Sequence, residues 1–136
     1  MSVVIDASVA LKWVLDEPGK DAAELLLDEE LIAPSLWLLE AANALWRRVR
    51  RGEITGEEAT ERLAELFNAP VTTVPIESDL VAAAELANAL NHPVYDCLYL
   101  ALAIREGAYV VTADSRFHGV VEASPTLRGA VRLLGP

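Results

Sequence analysis

Four acids carry the chemistry this sequence could do: Asp6, Glu40, Asp96 and Asp114. Asp6 closes the β-branched run Val3-Val4-Ile5, which reads as a strand buried on both faces. Asp114 follows a second such run, Val110-Val111-Thr112, while Glu40 sits about one turn into a helix opened by Pro34-Ser35. Asp96 lies in the first turn of a helix that follows Pro93. If the strands run parallel and helices return between them, strand carboxyl ends and helix amino ends share one edge, and all four acids fall on it. Carboxylates gathered in one pocket resist ionising beside one another, so protonation or a bound cation has to offset the repulsion. Oxygen-only ligation suits Mg²⁺ or Mn²⁺. Zinc fits poorly, because Cys97 is the single cysteine and no His pair stands at ligand spacing. A cation at an edge lined by helix amino ends is suited to phosphate chemistry.

Each acid also has a plainer reading. Asp6 and Asp114 can cap the helices that follow them, and Asp96 can favour its helix dipole. Glu40 is harder to dismiss: it stands between Leu36-Trp37-Leu38-Leu39 and Ala41-Ala42, where a lone charge is costly unless paired or ligated. Asn43, three residues on, shares its face. Arg47, Arg48, Arg50 and Arg51 form the one dense basic cluster, and suit either a helix C-terminus or the local basic patch that a nucleic acid would need. His92, before Pro93, reads as a surface turn residue. Trp37 and Trp46 are nine residues apart and out of helical phase, so one is expected in the core and the other at an interface.

The elements that position these residues follow from periodicity and turn signals. Strands are expected at Val3–Ile5, Leu31–Ala33, Val71–Val74 and Tyr109–Thr112, with an edge strand at Val131–Leu133. Helices are expected at Ala7–Leu15, Asp21–Leu27, Leu36–Arg51, from Thr55 to about Asn68, Ser78–Leu90 and Tyr95–Arg105, with a short helix or turn at Ser115–Gly119. Short strands alternating with helices imply a three-layer α/β/α architecture around a short central parallel sheet, as a single domain over residues 1–136. The hydrophobic fraction, 53%, leaves apolar surface for a partner. A net charge of −10 argues against polyanion binding by bulk charge, so any nucleic acid would be met through cations or a local basic patch. Cys97, in an apolar stretch, reads as a small buried hydrophobe. No signal peptide and no membrane span are expected, and a cytoplasmic location is the simplest address.

The stretches Val4-Ile5-Asp6-Ala7-Ser8, Glu40-Ala41-Ala42-Asn43-Ala44-Leu45, Tyr95-Asp96-Cys97-Leu98-Tyr99-Leu100-Ala101-Leu102-Ala103 and Thr112-Ala113-Asp114-Ser115-Arg116-Phe117 resemble the PIN-domain nucleases, and most of all the VapC-type toxins of toxin–antitoxin pairs. The resemblance runs through nearly the whole chain in matching order. It implies a metal-dependent endoribonuclease in which Asp6, Glu40, Asp96 and Asp114 surround Mg²⁺ or Mn²⁺. Ser8, Asn43 and Thr112 carry over as polar neighbours that orient acids, metal or water. The resemblance further implies a homodimer and a cognate VapB-type antitoxin.

Other classes fit less well. A phosphatase or phosphotransferase using Asp6 as nucleophile would want a second Asp two positions on, where Ser8 stands. A receiver-type signalling domain would want a late lysine, and the two lysines, Lys12 and Lys20, are both early. The non-enzymatic alternative is a PIN-like module that keeps the fold and binds metal and partner without catalysis.

Overall fold

A computed structural model describes residues 2–136. Five strands form one wholly parallel sheet: β1 (Ser2–Ile5), β2 (Glu30–Pro34), β3 (Val71–Val74), β4 (Tyr109–Thr112) and β5 (Val131–Leu133), in the order β3-β2-β1-β4-β5. Among the described residues seven α-helices cover it: α1 (Ala7–Val14), α2 (Lys20–Leu25), α3 (Trp37–Arg50), α4 (Gly56–Phe67), α5 (Leu80–Leu90), α6 (Val94–Glu106) and α7 (Ser115–Glu122). Right-handed crossovers send α1–α4 to one face and α5–α7 to the other. The packing follows that division: α1 lies against α2, α3 and α4, whereas α6 crosses β1, β2 and β4 with α5 outside it. The expected three-layer architecture is the one observed.

The central strands are apolar because both their faces are covered. Val3, Val4, Ile5, Leu31, Ile32, Ala33, Val110 and Val111 are all buried. On the edge strand β3, Thr72 and Thr73 are exposed, while on β5 Arg132 lies over the Tyr109 ring at 3.6 Å. α6 is apolar around most of its circumference, with Cys97 to Ala103 buried without a break, since it packs on the sheet inside and on α5 outside. Cys97 sits in that α5–α6 seam, and burial pushes its thiol up to about 11. It is the inert small hydrophobe the sequence suggests.

Three helix ends differ from the periodicity reading by two residues or more. The helix expected from Ser78 begins as a 3₁₀ turn at Glu77–Asp79, and the one expected to reach Leu27 gives way to a 3₁₀ turn at Leu26–Asp28. α7 runs past Gly119 to Glu122, because Phe117 and Val121, one turn apart, are both buried against the sheet and carry the helix through.

The chain builds β1, β2 and β3 outward in one direction, then returns to lay β4 and β5 on the other side of β1. The strand order therefore reverses between β1 and β4. In open α/β sheets such a switch point opens a crevice beyond the strand carboxyl ends.

Candidate active site

Asp6 and Thr112 meet at that switch point. Ile5 pairs with Val111 in the β1–β4 register, so the next residues of the two strands are Asp6 and Thr112. The Thr112 hydroxyl donates to Asp6 Oδ2 at 2.5 Å, and the Ser8 hydroxyl donates to Oδ1 at the same distance. Ser8 Oγ in turn accepts from the backbone N–H of Ala113 at 2.9 Å, which ties α1 to the end of β4. Asp6 also caps α1, its Oδ1 accepting from the Val9 N–H at 3.3 Å. Cap and site member are thus one residue in both roles. Its carboxylate is 6% exposed, and burial pushes its pKa up to about 6, against the pull of those donors and with the help of Asp96's charge.

Glu40 and Asp96 arrive from the two faces of the sheet. Glu40 occupies the first turn of α3, immediately beyond the carboxyl end of β2, and Asp96 the first turn of α6. The hydroxyl of the fully buried Tyr99, one turn further along α6, donates to Glu40 Oε1 at 2.5 Å and so links the two helices across the sheet edge. Burial raises the pKa of Glu40 above the usual carboxylate range, and the charges of Asp96 and Asp6 raise it further. Burial and the Glu40 charge drive the Tyr99 phenol far above its ordinary value, so it remains a donor. Asp6, Glu40 and Asp96 therefore lie within electrostatic reach of one another.

Asp114 is brought to the same edge but is differently engaged. Its backbone N–H donates to Thr112 Oγ1 at 3.0 Å, whereas its exposed carboxylate caps α7, with Oδ1 accepting from Arg116 N–H at 2.9 Å and Phe117 N–H at 3.3 Å. Asn43 is exposed on α3. Of the polar neighbours named from the sequence, Ser8 and Thr112 bind an acid directly.

Among the described residues, no group of three or more His, Cys, Asp and Glu side chains stands close enough to hold a metal as placed. The donor chemistry does fit a hard divalent cation: oxygen atoms only, and carboxylates whose charges oppose one another's ionisation in a buried setting.

The basic cluster divides. Arg48 is bound to Glu17 and lies 3.4 Å from Glu53, fastening α3 to the α1–α2 turn and to the turn before α4. Arg47, Arg50 and Arg51 are exposed, and Arg50 lies over Trp46 at 5.9 Å. The two tryptophans part as their phase requires: Trp37 is core and Trp46 is 57% exposed. Trp46 flanks an apolar groove of about 240 Å³ between α3 and α4, lined by Ala42, Val49, Ala59 and Leu63.

Sequence reasoning missed two residues of the site. Tyr99 gave no local signal, since its partner is 59 residues away. His92 did give one, standing four residues before Asp96. It is no surface turn residue: its side chain is 7% exposed and its Nε2 lies 2.6 Å from Asp96 Oδ2.

Comparisons with known proteins bear on the family and the fold. The PIN domain family model matches residues 3–122. Ribonuclease VapC3 of Pyrobaculum aerophilum is 33% identical over 118 residues, covering 84% of this chain and 90% of that protein. The crystal structure of PAE2754 from Pyrobaculum aerophilum matches with a TM-score of 0.73 at 21% identity, over 96% of this chain and 83% of the other. VapBC2 from Rickettsia felis, bound to a DNA fragment from its promoter, matches with a TM-score of 0.67 at 17% identity, over 99% of this chain and 100% of the other. At those identities the two structures speak to the fold. The family model and the VapC3 relative, each spanning most of the chain, place it in the PIN-domain family, among the VapC-type members.

Proposed function

We propose that the protein is a metal-dependent endoribonuclease, the toxin of a VapBC-type pair, and that it hydrolyses RNA phosphodiester bonds at the acid pocket beyond β1 and β4. The observation that carries this reading is Asp6: a buried carboxylate at the switch point of a parallel sheet, gripped on both oxygens and electrostatically coupled to Asp96. The name of the VapC3 relative supports RNA as the substrate, and the VapBC2 neighbour supports an antitoxin partner.

Asp6 and Asp96 are assigned as the direct ligands of Mg²⁺ or Mn²⁺, with Glu40 and Asp114 completing the acid set or orienting water. A cation bound there would polarise the phosphate and lower the pKa of a water for in-line attack. Ser8 and Thr112 fix the direction of the Asp6 carboxylate, and Tyr99 does the same for Glu40 Oε1. The amino ends of α3 and α6 present backbone N–H groups and positive dipole ends to a phosphate arriving at this edge. Arg47, Arg50 and Arg51 supply the local positive charge that the acidic chain otherwise lacks. On the same reading the protein acts in the cytoplasm as a homodimer, and the groove beside Trp46 offers an apolar surface to a VapB-type antitoxin.

Purified protein is expected to cut mixed structured RNAs at defined positions with Mg²⁺ or Mn²⁺, and to stop on chelation. Metal binding without cleavage of any RNA supports a catalytically silent binding module instead.

A further inference from the structure

Each of the three coupled acids has a dedicated donor. Asp6 has Ser8 and Thr112, Glu40 has Tyr99, and Asp96 has His92. The first three donors emerge from the sheet edge or a buried helix face. His92 comes from the turn between α5 and α6.

The turn itself is fixed at both ends. Asn91 ends α5 in the left-handed conformation (φ 52°), and the His92 N–H donates to the Ala87 carbonyl at 3.1 Å. Pro93 follows as the cap of α6 and confines His92 to extended backbone. The imidazole then stacks on Phe117 of α7, with ring centroids 5.3 Å apart and planes 17° from parallel. Phe117 is fully buried, and it is the residue whose N–H is capped by Asp114. The contact is a hydrogen bond between His92 Nε2 and Asp96 Oδ2, which the imidazole donates in the tautomer carrying its hydrogen on Nε2. At 2.6 Å the contact is a short, direct hydrogen bond.

We propose that His92 is a positioning residue for the acid pocket, holding Asp96 by Oδ2 in a fixed orientation and leaving Oδ1 as the oxygen free to ligate a divalent cation. A carboxylate on a short side chain has two soft torsions, and a single directed donor removes most of that freedom before the cation arrives. Groups that orient ligands in this way are commonly worth about 10- to 100-fold in metal affinity. The stack on Phe117 supplies the rigidity, since a donor that could itself swing away would orient nothing. The inference rests on the reading of Asp96 as a ligand.

Two substitutions separate the hydrogen bond from the stack. His92→Phe keeps a ring against Phe117 and removes the donor, whereas His92→Gln loses the ring and keeps an N–H donor near the position of Nε2. The full chain is titrated with Mn²⁺ by calorimetry, beside Asp96→Asn, and the thermal midpoint of each metal-free variant is recorded. His92→Phe is expected to melt near wild type and to bind Mn²⁺ about 10- to 100-fold more weakly. His92→Gln is expected to lose thermal stability yet keep affinity within about threefold of wild type. Mn²⁺ binding by His92→Phe at wild-type strength, with binding lost in Asp96→Asn, overturns the role of His92 and leaves the ligand standing. A folded His92→Gln that binds as weakly as Asp96→Asn overturns it equally. Unchanged binding in Asp96→Asn removes the ligand reading itself and the role of His92 with it.

Discussion

Asp6 is a buried acid whose pKa in the folded state, about 6, lies above its ordinary 3.8, and the sign of that displacement has consequences. The folded protein holds the Asp6 proton more tightly than the unfolded chain does. This stability is fully present below about pH 4 and is lost as pH rises through about 6, a change of about 3 kcal/mol for a shift of this size. Urea unfolding of metal-free protein is therefore expected to show wild type losing stability relative to Asp6→Asn between pH 4 and pH 7. Parallel pH profiles for the two would contradict the burial argument. Glu40 shifts in the same direction and Glu17 in the opposite one, so the difference between wild type and variant isolates Asp6 better than either curve alone. At this scale the sequence was partly legible. Asp6, Glu40 and Asp96 could be named from where each falls relative to a strand or helix end. The plainer reading of Asp114 as a cap also describes its carboxylate. Tyr99 could not be assigned, because it meets Glu40 only across the folded sheet edge, whereas the spacing of His92 from Asp96 was legible and only its burial against Phe117 was not.

At the scale of elements, α3 divides into three parts along its length. Its buried stripe of Trp37, Ala41 and Leu45 anchors it, its first turn presents Glu40, and its last turn carries the arginines. The arginines divide by partner. Arg47→Glu with Arg51→Glu is expected to weaken RNA binding and to flatten its salt dependence by about one unit of log–log slope for each phosphate no longer neutralised, with no loss of Mn²⁺ affinity. Unaltered RNA and antitoxin affinity would return these two residues to the role of helix C-terminal charges. Arg48→Glu belongs to another class. It sets a carboxylate against Glu17 and Glu53, so it is expected to cost stability on the order of 1 kcal/mol, read as a lower urea midpoint. A midpoint equal to wild type would show that the pairing contributes nothing. Existence and type of the elements were legible because apolar periodicity and turn residues agree along most of the chain. The capping box of Thr55 and Glu58, for instance, opens α4 where the sequence indicates. Where the reading slipped, at Gly119, a local stop signal was overridden by burial of Phe117 and Val121.

For the whole molecule, the order of the strands does more for function than the shape of any one of them. Placing β4 beside β1, with the chain between them detouring through β2 and β3, brings residues over a hundred positions apart into hydrogen bonds at Asp6. That order is tertiary information. The alternation of strands and helices implies a parallel sheet, but no local pattern states which strand neighbours which. The shared edge could be inferred, while the pairing of Asp6 with Thr112 through the β1–β4 register could not. If RNA is cut at this edge, as proposed, cleavage requires Asp6. The rate of cleavage of a single susceptible RNA by wild type and by Asp6→Asn is compared in Mn²⁺, with circular dichroism confirming that both are folded. Cleavage is expected from wild type and none above background from the variant. Equal rates would contradict that requirement.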